Sequence, residues 1–184
     1  MPHEPRTAIV TGASKRVGAE IARSLLADGW TVLAHVRREE DAVPEGAIRV
    51  AADLADAGAA DRIFASAADQ PPVRLLINNA ARFAEDRFGA FSSEQFDAHM
   101  AVNVRAPALL IERFVAAQDG VGDPQIVNLL DAKLAAPNPD YLSYTVSKAA
   151  LAALTDLYAR ALAPVRIRVN AIAPALVVRS HGQT

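Results

Sequence analysis

The sequence predicts an α/β fold built on a doubly wound parallel sheet with helices on both faces. Short runs rich in Val, Ile and Leu alternate with longer Ala- and Leu-rich runs of helical character, which is the pattern of strands joined by helical crossovers. Several of the short runs are almost wholly apolar, as expected for strands covered on both faces. The 184 residues contain no internal repeat or linker, so we expect one domain spanning residues 1–184.

The predicted strands and helices follow in order from these runs. We expect strands near Thr7–Val10, Thr31–Val36, Ile48–Ala51, Leu75–Ile77, Ile126–Leu130 and Ile167–Ala171. We expect helices near Arg16–Ala27, Gly58–Ala68, Ser93–Val102, Ala106–Gln118 and Tyr141–Ala163. The alternation of the two sets predicts a three-layer α/β/α arrangement.

Composition excludes several classes of function. A formal net charge of −2 and a pI near 6.1 give no electrostatic reason to expect nucleic acid or an anionic membrane as partner. The absence of cysteine excludes disulfides and thiolate metal sites, and the four histidines lack ligand spacing, so no metal is expected. With no signal peptide or membrane span in the sequence, we expect a cytoplasmic protein.

The first strand leads into a turn that opens a helix, from Thr11 to Gly18. Small residues there let the backbone approach a pyrophosphate, while the helix N-terminus offers N–H donors and the positive end of its dipole. Gly18 would permit close packing of helix on strand. The turn predicts a dinucleotide site that includes Gly12, Ser14, Lys15, Arg16, Val17 and Gly18.

The end of the second strand indicates which dinucleotide binds. An acidic residue at this place holds the ribose 2′-hydroxyl of NAD, whereas arginine accommodates the 2′-phosphate of NADP. The sequence here is His35-Val36-Arg37-Arg38, which favours NADPH, and His35 is placed at the adenosine end of the site. The alternative is a solvated basic turn balanced by the acids at positions 39–41.

Near the other end of the chain, Tyr144 and Lys148 stand four residues apart, thirteen positions after Asp131. On a helix this spacing puts both side chains on one face. A cation beside a phenol favours the phenolate and so lowers the pKa, which suits a tyrosine to general acid work. The alternative is an amphipathic helix that happens to carry one Tyr and one Lys.

Taken in order, these motifs resemble the short-chain dehydrogenase/reductase family from Thr7 to about Ala175. The resemblance implies a Rossmann-like fold and a nicotinamide cofactor. It rests further on Asp53-Leu54 after the third strand, Asn79-Ala80-Ala81 after the fourth, Asn103, and Pro174 after the sixth. It implies cofactor contacts for all of these except Asn103, which would anchor a water relay behind Lys148, the lysine that also binds the nicotinamide ribose.

Two departures from the common family pattern resemble the pteridine reductase branch. Arg16 replaces the middle glycine of the turn, and Asp131 stands where the family usually has serine. The same resemblance extends to Phe83 and Tyr141, although Ala81 replaces a serine often found in that branch. It implies reduction of a dihydropterin or related pteridine, with Tyr144 as proton donor and Arg16, Phe83, Asp131 and Tyr141 as substrate contacts.

Most of these residues have a simpler interpretation. Asp131 could cap a helix or loop after the fifth strand, and Asn103 could form a turn. Phe83 could fill the core, and Tyr141 could begin a helix with its ring on Pro137 or Pro139.

The C-terminal end bears on assembly and on activity. Family members continue for about another strand and two helices, so we expect this chain to be truncated after about the sixth strand. A homodimer is then expected more readily than a homotetramer. Two further functions stay open: an ordinary short-chain carbonyl reductase with Asp131 in place of serine, and a dinucleotide-binding module that is inactive.

Overall fold

The computed structural model describes residues 4–175 and contains a six-stranded parallel sheet. The strands run in the spatial order β3-β2-β1-β4-β5-β6, which is the order of a doubly wound Rossmann sheet. Their bounds are β1 Thr7–Val10, β2 Thr31–Val36, β3 Ile48–Ala51, β4 Val73–Asn78, β5 Gln125–Leu129 and β6 Arg168–Ile172. The predicted fold class is therefore confirmed.

Five α-helices connect the strands in the described part of the chain, with shorter helical pieces between them. They are α1 Arg16–Ala27, α2 Ala59–Ala65, α3 Ser93–Met100, α4 Ala106–Ala116 and α5 Leu142–Leu162. A π-helical segment, Ala101–Arg105, joins α3 to α4, and a 3₁₀ turn, Ala132–Ala135, follows β5. The predicted second helix was too long at its C-terminal end by three residues, since α2 ends at Ala65.

The sheet has a core on each face because successive strand residues point to opposite sides. On one face Ile9, Leu33 and Leu76 pack with α2 and α4, whose Ile63 and Phe114 are fully buried. On the other face Val10, Val32 and Ile77 pack against Ala22 of α1. The sheet thus lies between two helical layers, as the apolar strands predict.

The crossovers reverse direction between β1 and β4, which pair directly in parallel. At such a switch point the loops after neighbouring strands diverge and leave a crevice at the carboxyl edge of the sheet. No helix within residues 4–175 is long and apolar enough to cross a bilayer.

Candidate active site

A cleft of about 900 Å³ occupies the crevice at the carboxyl edge. The predicted site residues that line it come from the glycine turn, the ends of the five other strands and α5: Gly12, Ser14, Lys15, Arg16, Val17, Gly18, His35, Arg37, Arg38, Asp53, Leu54, Asn79, Ala80, Ala81, Phe83, Asp131, Tyr144, Lys148 and Pro174. Two predicted residues, Asn103 and Tyr141, lie beside the cleft without lining it.

Two glycines of the turn after β1, Gly12 and Gly18, are packed too tightly to be replaced by larger residues. A Cβ on Gly18 would lie 2.3 Å from the carbonyl oxygen of Gly12 and 2.5 Å from Nδ2 of Asn79. Gly12 itself has a φ of 67°, in the left-handed region that favours glycine. These two positions need glycine because of their contacts with the protein's own atoms, and for Gly18 this is the close packing that the sequence predicts.

Arg16 adopts the same left-handed region, with a φ of 51°. For a residue with a Cβ this conformation costs about 1–2 kcal/mol, which packing elsewhere must offset. A glycine at this position would carry no such cost. The arginine side chain is therefore held at the cleft despite the backbone strain, an arrangement that is typical of functional sites.

Hydrogen bonds tie the turn to the neighbouring strands. Thr11 Oγ1 accepts the backbone N–H groups of Asn79 and Ala80 at 2.9 and 3.0 Å. The side-chain amide of Asn79 donates back to the carbonyls of Thr11 and Gly12 at 2.8 and 3.1 Å. Asn79 therefore acts on the shape of the turn, through its contacts with the end of β1.

His35 is 3% exposed, and both ring nitrogens are bonded to the main chain. Nδ1 accepts the N–H of Gly12 at 3.1 Å, and Nε2 donates to the carbonyl of Ala52 at 2.9 Å. Burial lowers the pKa of His35, which keeps the ring neutral and able to accept. Although His35 lines the cleft as predicted, its ring is engaged in holding the turn and the end of β3.

The two arginines after β2 are exposed at the cleft. Arg38 lies near Glu40, with 3.8 Å between guanidinium nitrogen and carboxylate oxygen, and its backbone N–H donates to Asp41. The pairing is long and solvent-exposed, so it binds the guanidinium weakly. The segment therefore combines both features that the sequence suggests: two arginines at the end of β2, and acidic residues that contact Arg38.

Asp131, Tyr144 and Lys148 converge where β5 meets α5. The Tyr144 hydroxyl donates to Oδ2 of Asp131 at 2.7 Å. The other oxygen, Oδ1, accepts the N–H of Lys133 at 2.8 Å and so caps the 3₁₀ turn. Lys148 Nζ donates to the carbonyl of Leu129 at 2.6 Å and lies 5.8 Å from the centre of the Tyr144 ring. Asp131 thus serves as a cap and as the partner of the phenol.

The pKa of Tyr144 is shifted in the direction opposite to the sequence prediction. Burial and the adjacent Asp131 carboxylate raise this pKa far above the ordinary value of 10.0. Burial also lowers the pKa of Lys148 to about 8, against a smaller opposing effect of Asp131. The prediction that Lys148 lowers the phenol pKa is wrong for this structure, because the carboxylate is in contact with the hydroxyl and Lys148 is bonded elsewhere.

Three aromatic rings are in contact at one side of the cleft, and two of them, Phe83 and Tyr144, line it. Phe83 stacks on Tyr141 with ring centres 4.3 Å apart and meets the edge of Tyr144 at 4.7 Å. Phe83 is 61% exposed, so it does not fill the core. Tyr141 is the N-cap residue of α5, with a φ of 55°, and its ring lies on Phe83. Two of the described non-glycine residues with positive φ, Arg16 and Tyr141, therefore belong to the predicted substrate set.

Asn103 lies in the π-helical segment and is 1% exposed. Its Oδ1 accepts the N–H of Arg82 at 2.7 Å. Its Nδ2 donates to the carbonyl of Arg82 at 3.0 Å and to Oγ of Ser147 at 2.9 Å. The side chain thus joins the loop after β4 to α5, and the water relay stays a prediction.

Sequence reasoning missed four buried polar residues behind the site: Asp86, His99, Ser143 and Ser147. Asp86 accepts hydrogen bonds from Ser143, while His99 accepts the N–H of Ala84. The one available signal for Ser143 and Ser147 was their place beside Tyr144 and Lys148 on α5. Nothing in the local sequence indicates that Asp86 pairs with a residue 57 positions away.

Among residues 4–175, no group of three or more His, Asp or Glu side chains is arranged to hold a metal ion. The site offers a phenol, an amine and a carboxylate next to a cleft that the glycine turn borders. That set can bind a dinucleotide, orient a flat substrate and transfer a proton.

Comparison with known proteins matches this chain to a family of dehydrogenases and reductases. The model of the family described as short chain dehydrogenase matches residues 6–183. L-xylulose reductase of Mesocricetus auratus is 35% identical over 187 residues, which cover 97% of this chain and 75% of that protein. Dihydromonapterin reductase of Klebsiella pneumoniae is 30% identical over 186 residues, 97% of this chain and 77% of that protein.

A solved structure is also similar over most of the chain. It is that of FolM alternative dihydrofolate reductase 1 from Brucella suis in complex with NADP, with a TM-score of 0.81 and 37% identity. The match covers 91% of this chain and 71% of that chain.

Proposed function

Since the chain belongs to the short-chain dehydrogenase family, and is an oxidoreductase of that type, we propose that it is an NADPH-dependent reductase of a dihydropterin or related pteridine. The observation that carries the proposal is the 2.7 Å hydrogen bond from Tyr144 to Asp131. The same cleft holds a strained Arg16 and the exposed ring of Phe83.

The residues at the cleft fit a phosphorylated dinucleotide. Gly12 and Gly18 of this turn pack against the protein's own atoms, and small residues of this kind let a pyrophosphate approach the backbone at the helix N-terminus. Arg37 and Arg38 line the same cleft at the end of β2, where a 2′-phosphate is accommodated in this fold. We infer that these residues, with Lys15 and Asp53, hold NADPH.

Bound NADPH would supply the hydride, and this chain's residues would supply the proton. The Tyr144 hydroxyl is protonated at neutral pH, but burial and Asp131 raise its pKa and so make it a weaker acid, which is why proton transfer needs the positive charge of Lys148. The Asp131 carboxylate accepts that hydroxyl and so fixes where its oxygen lies. A cationic Lys148, 5.8 Å from the ring centre, would stabilise the negative charge that remains when the proton moves to a substrate ring nitrogen.

A pteridine is flat and polar, so it needs a stacking surface and in-plane hydrogen bonds. Phe83 offers an exposed ring at the cleft, and Tyr141 supports that ring from one face. Arg16 and Asp131 are polar groups that line the cleft. The similarity to a dihydromonapterin reductase and to an alternative dihydrofolate reductase supports the same substrate class.

A second candidate is the reduction of a ketone or keto sugar. The 35% identity to an L-xylulose reductase favours it, and the proton chemistry of Tyr144 would be the same. The two candidates differ in their need for a stacking surface. A flat pteridine would stack on the Phe83 ring, whereas a small aliphatic ketone has no ring to stack there.

A homodimer is proposed for the assembly. On α5, Leu157 is 63% exposed and Val146 is 43% exposed. Burial of such apolar side chains against a second copy is favourable. Sedimentation of the purified chain at two concentrations tests this proposal, and a monomer at both would contradict it.

The substrate test follows NADPH absorbance with dihydrobiopterin, dihydromonapterin, dihydrofolate and L-xylulose. Turnover of a dihydropterin that is lost in Phe83→Ala supports the pteridine proposal. Turnover of L-xylulose alone, undiminished in Phe83→Ala, contradicts it and favours the second candidate. NADPH binding with no turnover of any of the four would indicate a dinucleotide-binding module.

A further inference from the structure

The Asp86 side chain is only 5% exposed, and the proposed chemistry does not use its carboxylate. It lies in the segment between β4 and α3, three residues after Phe83. Its two carboxylate oxygens accept the backbone N–H of Ser143 at 3.0 and 3.2 Å, and Oδ2 also accepts the Ser143 hydroxyl. Its backbone carbonyl accepts the N–H of Leu142 at 3.4 Å.

These contacts supply the cap that α5 lacks locally. The residue at the N-cap position, Tyr141, makes no side-chain hydrogen bond to the helix and has a left-handed backbone. The first N–H groups of a helix need acceptors, and a carboxylate is favoured there by the helix dipole. A residue 57 positions earlier in the chain provides that acceptor, directly before Tyr144.

His99 holds the same segment from α3. Its Nε2 accepts the N–H of Ala84 at 3.2 Å, while Nδ1 donates to the carbonyl of Gln95 at 2.8 Å. Burial lowers the pKa of His99, so the ring stays neutral and can accept. Asp86 and Arg82 act on the ring with opposite signs, and the Tyr144 ring lies 6.4 Å from it.

We propose that Asp86 is a positioning residue, which with His99 locks the segment bearing Phe83 onto the N-terminus of α5 and so sets the proton donor and the stacking ring together. The inference rests on the proposed reductase function, because it assigns to that same site the support of Tyr144 and Phe83. It predicts that breaking the Asp86–Ser143 contact misplaces both groups at once, while the NADPH turn after β1 keeps its shape.

The test compares Asp86→Ala with Asp86→Asn and with Glu85→Ala. Asparagine keeps one oxygen that can accept the Ser143 N–H, so it should restore most of the lost function. Glu85 is the matched control, because it neighbours Asp86 but pairs with Arg87 on the surface. Ser143→Ala is a milder variant that removes only the hydroxyl donor, should Asp86→Ala fail to fold.

Amide hydrogen exchange is the readout that needs no substrate. In Asp86→Ala the amides of residues 142–144 should exchange about 5- to 30-fold faster, the expected effect of losing a helix cap. Ser143→Ala should change the same amides less, and the amides of the β1 turn should be unaffected. The same peptides should be unchanged in Glu85→Ala.

Kinetics separates positioning from mere stability. With a substrate that the wild type reduces, Asp86→Ala should lower kcat by about 100-fold, as a misplacement near 1 Å can. NADPH affinity should be unchanged, and Asp86→Asn should recover most of the rate. Unchanged exchange at residues 142–144 in Asp86→Ala and Ser143→Ala, or an unchanged kcat, would overturn the proposal. A wild type that reduces none of the four substrates would count against the reductase function. The exchange data would still test the contact between Asp86 and the N-terminus of α5.

Discussion

The hydroxyl of Tyr144 donates a 2.7 Å hydrogen bond to Asp131, while Lys148, one helical turn further along, bonds to the carbonyl of Leu129. The Tyr144 phenol therefore bonds to a carboxylate, whereas the Lys148 amine bonds to a main-chain carbonyl. Burial, together with the Asp131 carboxylate, raises the pKa of Tyr144 and holds the proton on the phenol. Loss of that proton would depend on the cationic form of Lys148 to balance the charge.

Replacing Asp131 with asparagine should lower the pKa of Tyr144. The substitution removes the negative charge that disfavours the phenolate, while the amide oxygen can still accept the Lys133 N–H and cap the 3₁₀ turn. Ultraviolet titration of tyrosinate, with Tyr144→Phe subtracted to isolate this residue, measures the change. An unchanged or raised pKa in Asp131→Asn would show that burial alone sets it.

Activity should decline above about pH 8. Burial lowers the pKa of Lys148 to about 8, so the amine is cationic below that pH and loses its charge as pH rises through it. The profile of kcat/KM reports groups of the free enzyme. Lys148→Met has a similar length and no charge, so it should be slow throughout and lack this limb. A limb at the same pH in Lys148→Met would assign it to another group.

Substituting both Arg37 and Arg38 with alanine should weaken NADPH far more than NADH. A hydrogen bond to a charged group contributes about 1.5–3 kcal/mol, which is about 10- to 150-fold in affinity. Fluorescence titration of each cofactor gives the two ratios. Arg49→Ala is the control, because Arg49 is exposed on the neighbouring β3. Equal losses for both cofactors would reject the 2′-phosphate assignment.

Gly18→Ala should destabilise the fold and impair NADPH binding. The new Cβ would meet the Gly12 carbonyl oxygen at 2.3 Å, and overpacking of this kind costs about 1–3 kcal/mol. Urea denaturation measures the free energy of unfolding. Gly58→Ala is the matched variant, since its Cβ would meet only the ends of two side chains, Arg62 at 3.2 Å and Asp56 at 3.7 Å. Equal stability of the two variants would argue against the close approach.

The sheet could be predicted from sequence because its signal is local. Each strand is a short apolar run, and the predicted β1, β2 and β3 match the structure at both ends. The i, i+4 spacing of Tyr144 and Lys148 was likewise enough to place both on one face of a helix. The order of the family motifs then predicted that Asp131 lies near this pair. The spacing of the three residues alone does not predict that contact.

The rest could not be predicted because it depends on tertiary neighbours. The direction of the Tyr144 pKa shift depends on burial and on the hydrogen-bond partner of Lys148, and the local sequence determines neither. The stacking of Phe83 on Tyr141 joins residues from two loops. Asp86 caps α5 across a long sequence separation, so no helix-start signal reveals it.

The most direct measurement is NADPH oxidation with a dihydropterin by the wild type and by Tyr144→Phe, with NADPH affinity measured on both. The phenylalanine keeps the ring beside Phe83 and removes only the hydroxyl that donates to Asp131. We expect kcat to fall by about 10²- to 10⁴-fold with NADPH affinity unchanged. A retained rate would contradict proton donation by Tyr144, and with it the account of this site.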